Sequence, residues 1–216
     1  SFADYTADEL KGILLLAEKI KQNQQAFSHL LDGKKLYTLF EKTSNRTYLS
    51  FNIGMEELGG KSYNQLWKDS NFTIGDLPSE VKYVGRNVDC IMGRFKKSET
   101  THGFMDASIV PVINGCDNTF HPTQALADML TLYEKTGHFD VKVLYIGAKN
   151  NTYNSLSEIV TMLGGKMYGL TPFSQVMGVG DEFYEGLKAT GHYEELPDNI
   201  SKEDLKKVVA DVDCVY

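Results

Sequence analysis

Ser44, Arg46 and Thr47 bring two hydroxyls and a guanidinium together within four residues, and that set of donors suits an anion such as a phosphate group. The stretch that carries them, Leu36 to Thr47, opens with an apolar, β-favouring half of strand length, Leu36 to Phe40. Thr43-Ser44-Asn45 follows as turn and helix-cap chemistry. A strand therefore runs into a helix N-terminus, where the first N–H groups lack intrahelical partners and the dipole is positive, so an anion is favoured. The stretch reads as a phosphate cradle; on local sequence alone it reads equally as an ordinary Ser cap beside a solvated Arg.

A second set of candidates lies downstream. Val110-Pro-Val-Ile-Asn-Gly115 has the pattern of a strand and turn, and Pro122 suits the first turn of a helix over His121 to Tyr133. His121 and Gln124 then sit at another helix start. Val88 to Met92 reads as a buried strand ending at Gly93-Arg94, which puts Arg94 at a strand's carboxyl end, the rim where ligands bind in open α/β sheets. An isolated Arg there is more often a surface ion-pair partner, but two anion-binding helix starts converging on one rim favour the ligand reading. Val141 opens a further strand whose turn lacks G-x-G-x-x-G, because Gly147 is followed by Ala-Lys-Asn-Asn-Thr-Tyr-Asn, so a dinucleotide is rejected. Asn150, Asn151, Asn154 and Ser155 gather there. Their amides and hydroxyl can orient a zwitterionic amine, or can serve equally as turn and cap formers.

Composition bounds these readings. With 216 residues, 42% hydrophobic and 24% charged, the chain is globular and long enough for one large or two modest domains. A net charge of −7 with no long basic run excludes nucleic acid as a main partner, while leaving room for a small anion. Cys90, Cys116 and Cys214 are widely spaced, which argues against a disulfide framework and structural zinc, and fits reduced cytosolic thiols. No apolar run nears the ~20 residues that span a bilayer, and Ser1-Phe-Ala-Asp-Tyr5 lacks a basic signal start. These features predict a soluble, cytoplasmic protein with no membrane partner.

The remaining elements position the candidates. Thr6 caps an amphipathic helix, with Glu9 set as in a capping box. The helix after the cradle carries Phe51, Ile53, Met55 and Leu58 as expected core, until Gly59-Gly60 stops it. Trp67 to Ser79 reads as a surface loop. A short helix is expected over Glu80 to Asn87, a strand over Gly164 to Thr171, a mobile stretch from Gly178, a Ser201-capped helix and a last strand at Asp213 to Tyr216. The alternation predicts an α/β protein with two domains, 1–137 and 138–216, each a parallel sheet flanked by helices.

The pairing of Ser44-Asn-Arg-Thr47 after one strand with His121-Pro-Thr-Gln124 after another resembles the aspartate/ornithine carbamoyltransferase family. Phe51 to Gly60, Val88 to Arg94 and Tyr145 to Ser155 also fall in family order. The resemblance implies carbamoyl transfer from carbamoyl phosphate to an amine, in a carbamoyl-phosphate-binding domain, 1–137, and an amino-acid-binding domain, 138–216, incomplete in this chain. It implies that Ser44, Asn45 through its backbone, Arg46 and Thr47 grip the phosphate. Arg46, Thr47, Arg94 and His121 then bear on the carbonyl oxygen, with Arg46, Arg94 and His121 as the catalytic set, and Gln124 holds the carbamoyl nitrogen. No metal and no cofactor is called for. A homotrimer, or a multiple of trimers, is implied.

The acceptor is read from Lys149-Asn150-Asn151-Thr152, which resembles the ornithine type rather than the Gly-Arg-Thr-x-x-Ser turn of aspartate enzymes. Asn151 is then the candidate for the α-amino and α-carboxylate end of ornithine, and the His-Pro-Thr-Gln-Ala-Leu-Ala-Asp128 run points the same way. Putrescine, an acylated ornithine or aspartate are alternative acceptors, and a non-catalytic binding or structural subunit derived from the family is the alternative class. Three departures stand out: Tyr48 replaces a basic residue, Asn45 replaces a Thr, and Asn71 to Ser79 carries Ile74 where a basic residue that reaches a neighbouring subunit is common. Relatives carry an Asp for the ornithine amine and a closing helix beyond the position matching Tyr216, so the 216 residues alone are expected to turn over poorly.

Overall fold

In the structure, a computed structural model that describes residues 1–172 and 178–216, the chain opens with α1 (Ala7–Gln22). Its start is a reciprocal capping box: the Thr6 N–H donates to Glu9 Oε2 at 2.7 Å, and the Glu9 N–H donates to Thr6 Oγ1 at 3.3 Å. Next come β1 (Lys35–Phe40), α2 (Asn45–Glu57), β2 (Lys61–Leu66), α3 (Leu77–Gly85), β3 (Cys90–Arg94), α4 (Ser98–Ala107) and β4 (Val112–Cys116). The four strands form a parallel sheet in the order β2-β1-β3-β4. Alternation along β1 and β3 sends side chains to opposite faces. Leu39 and Ile91 meet Val81 of α3 and Phe104 of α4 on one face, and Leu36, Phe40 and Met92 meet Phe51 and Met55 of α2 on the other. Each fully buried aliphatic side chain here contributes about 1.5–3 kcal/mol.

The chain continues through α5 (Pro122–Thr136), β5 (Lys142–Ile146), α6 (Asn151–Met162), β6 (Lys166–Leu170), α7 (Asp181–Ala189), β7 (Tyr193–Glu195), α8 (Lys202–Asp211) and β8 (Cys214–Val215). This second sheet is also parallel, in the order β7-β6-β5-β8. Val143 and Met167 pack on α5, α6 and α1 through Met129, Leu156 and Leu10, while Leu144 and Leu170 pack on the opposite face with Leu205 of α8. The architecture is thus the expected pair of parallel sheets flanked by helices. Contacts divide the chain into Ser1–Glu18 with Thr119–Tyr216, and Lys19–Asn118. This grouping sets α5 with the second sheet, because Ala125 and Met129 share its core, whereas the sequence boundary of 137/138 sets α5 with the first.

Several local expectations change. Ile53 is 46% exposed, and Thr47 is the one buried residue of α2, so the apolar residues Phe51 and Met55 are half-buried and Ile53 is not core. A single helix on a sheet buries one stripe, and Ile53 falls off it. Trp67 to Ser79 is not a free surface loop. It forms two 3-10 turns, Trp67–Asp69 and Asn71–Thr73, and the start of α3, with Phe72 buried against Trp67 and Phe104. Aromatic burial outweighs the polar and Gly/Pro composition there. Gly180 directly heads α7, so a helix follows Gly178 where a mobile stretch was expected. Among the described residues no helix is long and apolar enough to cross a membrane.

Candidate functional site

Both sheets reverse their strand order beside the first strand of each, and ligands in open α/β sheets bind at the carboxyl ends of strands at that point. In the first sheet the reversal lies between β1 and β3, where Phe40 pairs with Arg94. β1 leads there into the start of α2. Ser44 is its N-cap: its Oγ accepts the Thr47 N–H at 3.3 Å and donates to Thr47 Oγ1 at 3.1 Å. The first i→i−4 bond of the helix runs from the Tyr48 N–H to the Ser44 carbonyl at 3.1 Å, so the N–H groups of Asn45 and Arg46 precede the ladder. They are the free donors of the helix start.

Arg94 completes the cradle. Its Nη1 donates to Thr47 Oγ1 at 3.1 Å and to the Gly115 carbonyl at 3.3 Å. Thr47 Oγ1 therefore accepts from both Ser44 and Arg94, which leaves its own hydrogen to be donated elsewhere. A cavity of about 390 Å³ lined by Thr43, Ser44, Asn45, Arg46 and Arg94 opens at this helix start. Two guanidinium groups, helix-start N–H groups and hydroxyls gathered at one cavity have the chemistry that suits an anion. The expected set Ser44, Asn45, Arg46, Thr47 and Arg94 is brought together in one unit.

His121, Gln124 and Asn151 belong to the other unit. His121 is the N-cap residue of α5, with Pro122 in the first turn, and its N–H donates to Ser155 Oγ at 2.8 Å. Its Nδ1 lies 3.3 Å from Thr123 Oγ1; with Thr123 donating, Nε2 carries the ring proton and is itself a donor. Gln124 Nε2 donates to Asp128 Oδ1 at 2.9 Å, which turns the amide oxygen, an acceptor, the other way. Burial pushes the Asp128 carboxyl above its ordinary range, against the lowering effect of the Gln124 hydrogen bond.

The Asn cluster separates into parts. Asn150 caps α6, accepting the N–H groups of Thr152 and Tyr153 at 3.0 Å each. Asn154 is fully buried, donating to the Thr119 carbonyl at 2.9 Å and accepting from the Tyr184 hydroxyl at 2.7 Å. Ser155 is also buried and bonded to His121, and Asn151 is the half-buried first residue of α6. Lys149 just before them is ion-paired with Glu195, and its Nζ lies 4.3 Å from the centre of the Tyr184 ring. Burial works against ionisation of Glu195, but the hydrogen bond and charge of Lys149, with Tyr193 and Lys188, hold its carboxyl below the ordinary range.

Sequence reasoning passed over several residues that shape these sites. The Gln124 and Asp128 pair stands at i,i+4 on one helix face, a spacing readable from sequence. The partnership of Lys149 with Glu195 spans 46 positions and leaves no local signal. Cys116, with φ 143°, is the one non-glycine residue of positive φ among the described residues. A conformation of this kind costs about 1–3 kcal/mol and clusters at functional sites.

Comparisons with known proteins point to one family. A profile described as aspartate/ornithine carbamoyltransferase, carbamoyl-P binding domain, matches residues 1–134. The ornithine carbamoyltransferase of Archaeoglobus fulgidus is 38% identical over 176 residues, which are 80% of this chain and 57% of that protein. The one from Listeria monocytogenes is 34% identical over 227 residues, covering 100% of this chain and 68% of that protein. The solved structure of ornithine carbamoyltransferase from Pyrococcus furiosus has a TM-score of 0.88 and 33% identity, over 100% of this chain and 69% of that one. The chain thus spans 57% to 69% of the length of these relatives. Because the profile runs through both the Ser44-Asn-Arg-Thr47 and the His121-Pro-Thr-Gln124 helix starts, and a relative matches over the whole chain, this protein belongs to the aspartate/ornithine carbamoyltransferase family.

Proposed function

We propose that this chain binds carbamoyl phosphate at the start of α2 and serves a carbamoyltransferase that passes the carbamoyl group to the side-chain amine of ornithine. The observation that carries the reading is the bond from Arg94 to Thr47 at the mouth of the cavity, which joins the carboxyl end of β3 to the capped start of α2. The N–H groups of Asn45 and Arg46 and the Thr47 hydroxyl take the phosphate, and Ser44 joins them by turning its hydroxyl hydrogen from Thr47 to the ligand. Arg46 and Arg94 neutralise the charge that grows on it as it leaves. His121, as an Nε2 donor, is assigned to the carbamoyl carbonyl oxygen, and the Gln124 amide oxygen, turned by Asp128, accepts from the carbamoyl N–H₂. The amine lone pair forms the new C–N bond, the C–O bond to phosphate breaks with its electron pair, and the amine proton leaves to phosphate or solvent. The protein's part is charge stabilisation and alignment.

The choice of amine rests on Lys149. An aspartate acceptor brings a second carboxylate that needs a cation, and the cation beside the Asn150-Asn151 turn is already held by Glu195. Asn151 at the first position of α6 offers an amide to the amino-acid end of ornithine. The test supplies carbamoyl phosphate with ornithine or aspartate to a protein carrying this chain at the length of its relatives, and quantifies citrulline and carbamoyl aspartate. Citrulline should dominate. Equal or faster carbamoyl aspartate formation would overturn the acceptor while sparing the phosphate cradle.

A further inference from the structure

We propose that Asp117, together with Asn114 and Thr101, is a positioning group for Arg94, acting through the bulged turn at the end of β4; this rests on the reading of the cradle as a phosphate site. The strand register carries the first observation. Gly93 pairs with Asn114, but Arg94 pairs with Cys116, so Gly115 is skipped and stands as the extra residue of a bulge. Skipped in this way, its carbonyl turns from the ladder to accept Arg94 Nη1 at 3.3 Å. A side chain at Gly115 would collide with Met92 Sδ, so a larger residue there would force the buried Met92 side chain to move.

The second observation is what holds the bulge in its shape. Cys116 sits at φ 143°, a conformation that a non-glycine residue keeps only when its surroundings enforce it. The enforcing bond is from the Cys116 N–H to Asn114 Oδ1 at 2.9 Å. That bond fixes the Asn114 amide, whose Nδ2 then donates to Asp117 Oδ2 at 2.9 Å. Thr101 Oγ1, reaching in from α4, donates to the same oxygen at 2.9 Å. Asp117 is 2% and Thr101 4% exposed, so the carboxylate is a buried anchor that water cannot replace. The chain of bonds runs Thr101 to Asp117 to Asn114 to Cys116, and its mechanical output is the Gly115 carbonyl that aims one face of the Arg94 guanidinium. All of these residues lie in the unit of the first sheet. None of the anchoring side chains lines the cavity, so they act on an anion only through Arg94.

A double-mutant cycle tests this, with inorganic phosphate as the probe in calorimetric titrations of the 216-residue chain. Asp117→Ala, which removes the oxygen that accepts from both Thr101 and Asn114, should weaken phosphate binding about tenfold in the otherwise unchanged protein, and should change it less than about twofold when Arg94 is already alanine, since residues acting through one group are not additive. Equal losses in both backgrounds would overturn the proposal, as would a lowered unfolding midpoint with unchanged phosphate affinity, which is the signature of a purely structural role. Thr101→Val, which removes one donor and keeps the side-chain shape, runs the same cycle should Asp117→Ala not fold. An unchanged protein that fails to bind phosphate would instead remove the cradle, and this inference with it; phosphate binding with an additive cycle removes only the positioning role.

Discussion

Arg46→Ala separates a ligand-binding residue from a structural one, because the structure predicts opposite signs for its two effects. Arg46 is exposed in the first turn of α2, where no acidic residue balances it. A cation there faces the positive end of the helix dipole, an unfavourable arrangement of roughly 0.3–1 kcal/mol that salt screens. Removing it should leave the unliganded protein equally stable or more stable by about that amount, with alanine at least as good a helix former. Phosphate loses a hydrogen bond between charged groups, about 1.5–3 kcal/mol, which corresponds to about 10- to 150-fold in affinity. Solvent exposure of Arg46 places the result toward the lower end. Phosphate calorimetry at low and at physiological salt, beside urea unfolding of the same preparation, reads both quantities. Unchanged affinity returns Arg46 to the solvated surface, and a parallel fall in stability and affinity assigns it a structural role instead.

Ser44→Ala should behave differently. It removes the bond to the Thr47 N–H and the bond to Thr47 Oγ1, so urea unfolding should show a loss of about 0.5–2 kcal/mol, typical of a missing N-cap, together with weaker phosphate binding. Glu195→Gln addresses the pH dependence: the folded-state pKa of Glu195 lies below the ordinary value of 4.5, so its contribution is fully present above that pH and is lost as pH falls from 4.5 through the lowered value. Urea midpoints measured from pH 7 down to pH 3 should fall less steeply for the variant over that acid window; superimposable slopes would mean that the pair with Lys149 does not distinguish the folded from the unfolded chain.

The capped helix start at Ser44 was legible because its causes are local. A short apolar, β-favouring strand, a Ser at the cap and an Arg two residues later describe a helix N-terminus in one short stretch, and the structure places the strand at Lys35–Phe40 and the cap at Ser44. The same holds for the capping box at Thr6 and for the Ser201 cap of α8. Elements that lacked such punctuation were missed. The edge strand β2, Lys61–Leu66, exposes Tyr63 and Leu66 and has no apolar run, so parallel pairing with β1 rather than its own composition makes it a strand. Helix α4, Ser98–Ala107, starts at Lys97 without a side-chain cap and is held through Phe104, whose partners Phe72 and Phe95 lie elsewhere in the chain.

What sequence could not carry is the assignment of polar residues between scaffold and site. Asn150, Asn151, Asn154 and Ser155 look alike as a polar cluster at a strand end. Burial divides them: Asn154 and Ser155 satisfy the Thr119 carbonyl, the Tyr184 hydroxyl and the His121 N–H from positions at least 30 residues away. A buried polar group must find a partner, and that requirement turns would-be ligands into joints. The same logic runs in reverse for Asn114, Asp117 and Thr101, of which the sequence marks only Asn114, as part of a strand and turn. The Thr101 bond forms only when α4 meets the end of β4, and the carbonyl turned toward Arg94 belongs to Gly115, a residue that makes none of these bonds. Local rules therefore locate the capped helix starts of this chain, whereas long-range polar pairing decides which of the polar side chains beside them serve as scaffold.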